Sequence, residues 1–358
     1  MAEPNPTPSA APSGGSPLRP LSAQTATEME TLFKKLGEPA FRVTQLREFL
    51  FRRGIASLDE VTNLKKTLRA ELAASAPLYD LRFVETTEGD DAVKWLWRAT
   101  DGALVESVQI RVPERLTSCL SSQVGCAMGC VFCATGRDGF ERNLRSHEIV
   151  EQYLQMWGRS KEPSSHVVFM GMGEPLHNYD EVLAAIRVLN APPPEGVGIG
   201  ARRITLSTVG LVPGIRRLAN ERLQLELAIS LHAPDDATRR QLIPAARRYP
   251  IAEVMEAVRE FSRTTRRRVT FEYVLLAGVN DSEEQARELG GLLQDLPCKV
   301  NLIPYNPVDD VAYRRPAIED QERFKSIVER FHLTVTIRNS KGRSAAAACG
   351  QLRHRRNV

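Results

Sequence analysis

The chain has 358 residues, 42% hydrophobic and 26% charged, with a net charge of +4 and six cysteines. The apolar share excludes a chain disordered throughout, and six cysteines are too sparse over this length for a disulfide-built scaffold. No run approaches the ~18 apolar residues of a membrane-spanning helix, and so small a net charge names no partner.

Residues 1–24 are rich in Pro, Ala, Ser and Gly, with six prolines between Met1 and Pro20 and no apolar stretch of the secretory-signal kind. That composition predicts a disordered tail. Residues 25–80 read as a small basic helical domain. Phe41, Gln45, Leu46, Phe49 and Leu50 fall at helical spacing with Arg42, Arg47, Arg52 and Arg53 between them, and Ser57 with Glu60 has capping-box spacing for a further short helix. Over 81–114 the period becomes two, with Asp101-Gly102 as the turn of a β-hairpin linker.

After Arg115, strand-like runs at 115–120, 166–171, 202–208, 224–231, 268–276 and 298–303 alternate with helical stretches at 146–159, 179–190, 213–221, 251–263, 281–295 and 318–331. Apolar residues 333–338 add an edge strand. Six such units are too few for a closed eight-stranded barrel, so the expected fold is α/β, a partial (β/α)6 barrel over 115–345 followed by a C-terminal segment, 346–358. In parallel α/β sheets chemistry gathers where strands end and loops begin.

Cys126, Cys130 and Cys133 follow the first strand of this series, with Gly125 and Gly129 letting the backbone wrap tightly. A structural zinc site needs a fourth ligand, for which His147 is the nearby candidate. An iron–sulfur cluster held by three thiolates instead leaves one iron open to a ligand. Three buried thiols without metal is the bland reading, and free thiols seldom cluster in a Gly-rich loop through packing alone.

The Cys-x3-Cys-x2-Cys spacing after the first strand resembles the radical S-adenosylmethionine (SAM) superfamily, and Gly171-Met172-Gly173-Glu174-Pro175 after the second strand resembles its GGEP-type loop. Ser118–Cys126, Gly136–Leu144, Leu206–Pro213, Ala228–Ala233, Asn301–Pro307 and Ala347–Leu352 narrow the likeness to the RlmN/Cfr RNA methyltransferases, over about 85–353 with a weaker helical echo at 28–76. The resemblance implies a partial barrel with one [4Fe-4S] cluster on Cys126, Cys130 and Cys133, and two SAM molecules per turnover. Glu174, Pro175, Ser207, Ser230, Leu231, His232 and Asn306 would contact SAM. Cys349 would accept a methyl group, a second SAM would supply the radical that activates it for addition to an adenine ring carbon, Glu106 would take the ring proton, and Cys119 would attack the Cys349 sulfur, leaving a disulfide. It further implies 23S rRNA and tRNA as partners, an external one-electron reductant such as a flavodoxin, no membrane association, and a cytoplasmic monomer.

This division of labour has a physical basis. An sp2 adenine carbon offers no electron pair to a sulfonium methyl, whereas radical addition avoids that need once the carbon is tethered to a nucleophilic thiol. The target base must leave its stack to reach a buried radical.

Read without the resemblance, Glu106 in Val105-Glu106-Ser107 is a solvent-facing strand carboxylate, and Cys298 is a structural thiol. His166, His177, His332 and His354 read as surface or packing residues, and Met170 and Met172 as packing. Arg239-Arg240, Arg247-Arg248, Arg266–Arg268, Arg314-Arg315 and Arg353-His354-Arg355-Arg356 read as solvated helix ends or loops, or as phosphate-binding residues beside the active mouth. Ala345–Ala348 begin a terminal helical turn or form a movable loop. Two departures from the family pattern stand out. Ser344 and Ala345 replace the usual Asp-Ile, and Tyr305 replaces Trp. The alternatives are adenine C8 methylation of the Cfr type, a radical SAM enzyme on a small molecule, and a non-enzymatic iron–sulfur or zinc RNA-binding module.

Overall fold

The structure, a computed structural model, describes residues 19–309, 311–338 and 341–353. Most of the expected tail (1–18), and His354, Arg355 and Arg356, lie outside the described residues.

The tail prediction fails at its end. Leu21 is fully buried and its N–H donates to the Pro77 carbonyl at 2.8 Å, because one leucine in this polar segment finds a place in the core. Helix α1 (Ala26–Lys35) starts at a capping box, Thr25 with Glu28, and α2 (Phe41–Glu48) runs into a π-helical turn, Phe49–Arg53. The Ser57–Glu60 capping box opens only a 3-10 turn before α3 (Lys66–Ser75). These helices dock on the rest of the molecule through Glu151, whose carboxylate accepts from Ser22 Oγ at 2.5 Å and from the Asp80 and Leu81 N–H groups at 2.9 and 2.8 Å.

Strands β1 (Arg82–Glu88), β2 (Ala92–Arg98), β3 (Leu104–Val112) and β4 (Arg115–Cys119) form an antiparallel meander. The hairpin expected at Asp101-Gly102 is β2–β3, with Gly102 at φ 90°, and β1 adds a further strand. A two-stranded ribbon, β5 (Gln123–Gly125) with β6 (Phe140–Asn143), brackets a short helix α4 (Ala134–Asp138). The parallel series follows: α5 (Ser146–Ser160), β7 (His166–Phe169), α6 (Tyr179–Asn190), β8 (Ile204–Thr208), α7 (Val212–Ala219) and β9 (Glu226–Ser230). Beyond it come α8 (Asp236–Leu242), α9 (Ile251–Thr265), β10 (Val269–Leu275), α10 (Glu283–Leu293), β11 (Cys298–Pro304), α11 (Ile318–Glu329) and β12 (Thr334–Ile337). One ten-stranded sheet runs β1-β2-β3-β4-β7-β8-β9-β10-β11-β12, parallel from β4 onward.

The meander is therefore continuous with the barrel sheet. Every residue of β10 is buried, as expected of a parallel strand covered on both faces. Buried polar side chains then fix the strand ends. Gln152 on α5 bonds both the N–H and the carbonyl of Ser121, at 2.9 and 3.0 Å, and Asn178 Nδ2 donates to the carbonyls of Ser122 and Leu144 at 2.8 and 2.7 Å.

Candidate active site

The cysteine loop leaves β5 at Gly125, where a Cβ would meet the Gly139 carbonyl oxygen at 2.0 Å and φ is +73°. Only glycine fits there. The Cys126 N–H donates to that same carbonyl at 2.7 Å, and the Val131 N–H to the Leu242 carbonyl at 3.1 Å, so the loop is clamped between the ribbon and α8. Cys130 is buried, and Cys126 and Cys133 are half-buried. Burial pushes the Cys126 thiol up to about 12 and raises those of Cys130 and Cys133.

The three cysteines line one cavity at the C-terminal strand ends. Glu174, Pro175, Ser207, Ser230, His232, Asn306 and Cys349 line it too. Leu231 does not. Strand alternation turns its fully buried side chain into the main core. Glu174 accepts from the Leu176 N–H on Oε1 at 3.0 Å and from the Val209 N–H on Oε2 at 2.8 Å, which ties the loops after β7 and β8 together. Its burial raises the carboxyl to about 7. His232 is buried and held neutral, its ring lowered to about 3, and Nδ1 accepts from the Val274 N–H at 3.0 Å. The Ser207 and Ser230 hydroxyls stand 3.5 Å apart on neighbouring strands.

Cys349 is exposed and its backbone is pinned. Asn306 Nδ2 donates to the Cys349 carbonyl at 3.2 Å, the Ala134 N–H to the Gly350 carbonyl at 2.8 Å, and Thr135 Oγ1 to the Leu352 carbonyl at 2.5 Å. Cys119, buried at the end of β4, is absent from the large cavity but shares a smaller one with Cys349, Met170 and Arg338. Burial pushes Cys119 up to about 12, and the Arg338 guanidinium partly offsets it. Ala345, Ala347 and Ala348 are buried in a turn, with Ala346 at φ 47°, rather than in a terminal helix.

Glu106 overturns the solvent-facing reading. It is 2% exposed, because helix α5 and the C-terminal segment cover the two faces of β3. Its Oε1 lies 3.1 Å from Lys94 Nζ and its Oε2 accepts from the Arg353 N–H at 3.0 Å. It lines neither cavity. Arg239 is likewise no solvated helix end. Fully buried, it donates to the Val209 and Tyr249 carbonyls. Arg266–Arg268 precede β10 and so lie at the N-terminal end of the barrel strands, away from the cavity, whereas exposed Arg247, Arg248 and Arg314 lie on the cavity side. His147, the candidate zinc ligand, is paired with Asp80 at 2.8 Å instead. Cys298 is a structural thiol facing the Leu293 carbonyl.

Comparison with known proteins fits this geometry. The radical SAM superfamily matches residues 120–290, and the ribosomal RNA large subunit methyltransferase N-terminal domain matches 21–78. A Gloeobacter violaceus protein named as a dual-specificity RNA methyltransferase RlmN is 47% identical, with 94% of this chain and 95% of the relative covered. A Protochlamydia amoebophila protein of the same description is 48% identical over 89% of this chain and 90% of its own length. The chain belongs to the RlmN family. A crystal structure of a radical SAM methyltransferase from Sphaerobacter thermophilus superposes with a TM-score of 0.88 at 45% identity, covering 93% of this chain and 99% of that one.

Membership of the RlmN family, within the radical SAM superfamily, implies SAM and a four-iron cluster. The residues present fit both. Three thiols from one loop face one cavity, and among the described residues no three ligating side chains close on a single-ion site. Three thiolates on one loop suit a four-iron cluster that leaves one iron open to a ligand. In the same cavity Asn306 Oδ1 and Glu272 Oε2 are buried without partners, acceptors that await a ligand's donors. Glu272, Arg338 and Lys94 escaped the sequence reading, since each lies in a strand-like run with no motif around it.

Proposed function

We propose that the chain methylates C2 of adenine in RNA, in 23S rRNA at the peptidyl-transferase centre and in tRNA on the adenosine 3′ of the anticodon. The observation that carries this reading is the position of Cys349, which lies in the large cavity with the cysteine triplet and in the small one with Cys119. Near full-length relatives named dual-specificity RNA methyltransferases favour RNA over a small-molecule substrate.

Cys126, Cys130 and Cys133 would hold the cluster, which with bound SAM supplies a 5′-deoxyadenosyl radical. The Gly171–Pro175 loop offers backbone groups, and each oxygen of Glu174, holding one backbone N–H, keeps a lone pair for a donor of SAM. Cys349 takes a methyl group from a first SAM by displacement, which fixes the carbon beside the cavity before a second SAM is used. Glu106 accepts the adenine ring proton on Oε2, which keeps a second lone pair beside the one that holds the Arg353 N–H. Cys119 attacks the Cys349 sulfur and releases the product, leaving a disulfide; Arg338, in the wall they share, favours the thiolate form of Cys119. Exposed Arg247, Arg248 and Arg314 suit RNA phosphates. The reading carries with it a cytoplasmic monomer reduced by a flavodoxin-type one-electron donor. Among the described residues no helix is long and apolar enough to cross a membrane.

The test is anaerobic reconstitution with iron, sulfide, reductant and SAM on unmethylated RNA, followed by mass spectrometry of nucleosides. We expect 2-methyladenosine. An 8-methyladenosine product would move the chain to the Cfr specificity, and 5′-deoxyadenosine release without methylated RNA would refute the substrate.

A further inference from the structure

Arg239 stands in the middle of α8, fully buried, and lines neither cavity. Its guanidinium donates to the Val209 and Tyr249 carbonyls, the latter at 3.1 Å, and its Nε has no partner. Among the described residues no carboxylate pairs with it; Asp236, a turn earlier on α8, holds the Ile251 N–H on Oδ1 at 2.9 Å. Two carbonyls need only two neutral N–H donors. A side-chain amide would brace the same loops at a far smaller desolvation cost, whereas a buried cation without an anion is among the costliest groups to place in a protein interior. The charge therefore has a reason apart from the brace.

The surroundings indicate where its anion belongs. Leu242, the last residue of α8, accepts the Val131 N–H on its carbonyl at 3.1 Å, and Leu242 and Ile243 pack with Met128 and Cys130. Helix α8 thus backs the cysteine loop, with Arg239 one turn from the contact. After burial, which dominates for both groups, the Arg239 guanidinium and the Cys130 sulfur each favour the charged form of the other. The same guanidinium adds to burial in holding the His232 ring neutral, which leaves Arg239 as the cation beside the loop.

We propose that Arg239 is a buried counter-charge for the iron–sulfur cluster, its fixed positive charge behind the Cys130 side of the loop favouring the reduced cluster and easing electron uptake from the external donor. The assignment rests on the reading that Cys126, Cys130 and Cys133 hold a four-iron cluster. Such a core on three thiolates is a net anion that gains one further negative charge on one-electron reduction, so a fixed cation close by stabilises the reduced form more than the oxidised one.

The experiment is an anaerobic redox titration of reconstituted holoenzyme without SAM or RNA, the reduced cluster being read by electron paramagnetic resonance. Arg239→Gln removes the charge and keeps N–H donors for the carbonyls, and Arg239→Lys keeps the charge. At a fixed solution potential the ratio of reduced to oxidised cluster should fall about tenfold in R239Q, the order of effect of one unit charge in a partly shielded interior. For one electron that is about 59 mV. R239K should stay within about twofold of the wild type. Loss of a mere brace has the opposite sign, because water reaching the cluster favours its more highly charged, reduced state and raises the ratio. An unchanged or raised ratio in R239Q overturns the assignment, as does an R239K ratio that departs from the wild type as far as that of R239Q. Where R239Q does not fold or load its cluster, R239K decides: wild-type loading and ratio uphold the charge, and failure to load overturns it. A wild-type protein that takes up no iron and sulfide would instead remove the cluster reading and the assignment with it.

Discussion

Lys94 is the perturbation that separates an ion pair holding the site together from one that merely decorates it. Its ammonium lies 3.1 Å from Glu106 Oε1 and donates to the Ala346 carbonyl at 3.4 Å, with side-chain exposures of 10% for Lys94 and 3% for Glu106. Lys94 pairs across the sheet with Val108, two residues from Glu106, so the two charged chains are diagonal neighbours on one face. Lys94→Met retains the apolar stem but leaves the carboxylate buried beside one N–H donor. Removing one partner of a buried pair costs about 3–5 kcal/mol, because the remaining charge is stranded. At the 2–4 °C per kcal/mol usual for large domains, the midpoint should fall by on the order of 10 °C. Glu106→Gln with Lys94→Met strands no carboxylate, so the double variant should recover about 1–3 kcal/mol relative to the sum of the single losses. Calorimetry of the four proteins measures this directly. Strict additivity would refute the argument that the pair, rather than bulk packing, secures the C-terminal segment.

Cys349→Ala should abolish methylation while reductant-dependent 5′-deoxyadenosine release continues, and full methylation by this variant would remove the tether from the mechanism. Cys119→Ala should leave protein covalently joined to RNA, visible as a band that survives denaturing gels; free methylated RNA at the wild-type rate would sink its release role. Glu151, raised to about 7 by burial against its ordinary 4.5, makes a pH prediction. A folded-state value above the unfolded one contributes stability that is complete below about 4.5 and lost as pH rises through about 7. Glu151→Gln should therefore gain on the wild type in urea midpoint between those pH values, and a constant difference across the range would contradict it.

Repeating local signals carried the barrel. The α6 pattern at 179–190 coincides with Tyr179–Asn190, and the strand at 298–303 with Cys298–Pro304, because a long periodic run reports its own burial. Where burial is imposed by distant chain, the reading failed. Glu106 alternates with apolar neighbours as an edge residue would, yet β3 has β2 and β4 on its flanks and covering chain on both faces. Arg239 looks like any charged helix residue until the loops after β8 and α8 offer it carbonyls. The cysteine triplet was legible because its spacing is local; the place of Glu272 in the cavity wall was not, because its pairing with Ser230 and Asn301 on other strands sets it.

The C-terminal segment shows how one thiol can serve two cavities. Its carbonyls accept from Asn306 at Cys349 itself, from Ala134 and Thr135 after it, and from Lys94 before it. Upstream, the Gly342 N–H donates to Asp91 at 2.7 Å, and Ser344 Oγ accepts from the Asp90 N–H at 3.1 Å. Moving this backbone would break several of these bonds together, whereas turning the Cys349 side chain breaks none. A rotamer change meets a barrier far smaller than that collective cost, so the side chain, rather than the loop, is the part suited to carry sulfur from the cluster side to Cys119.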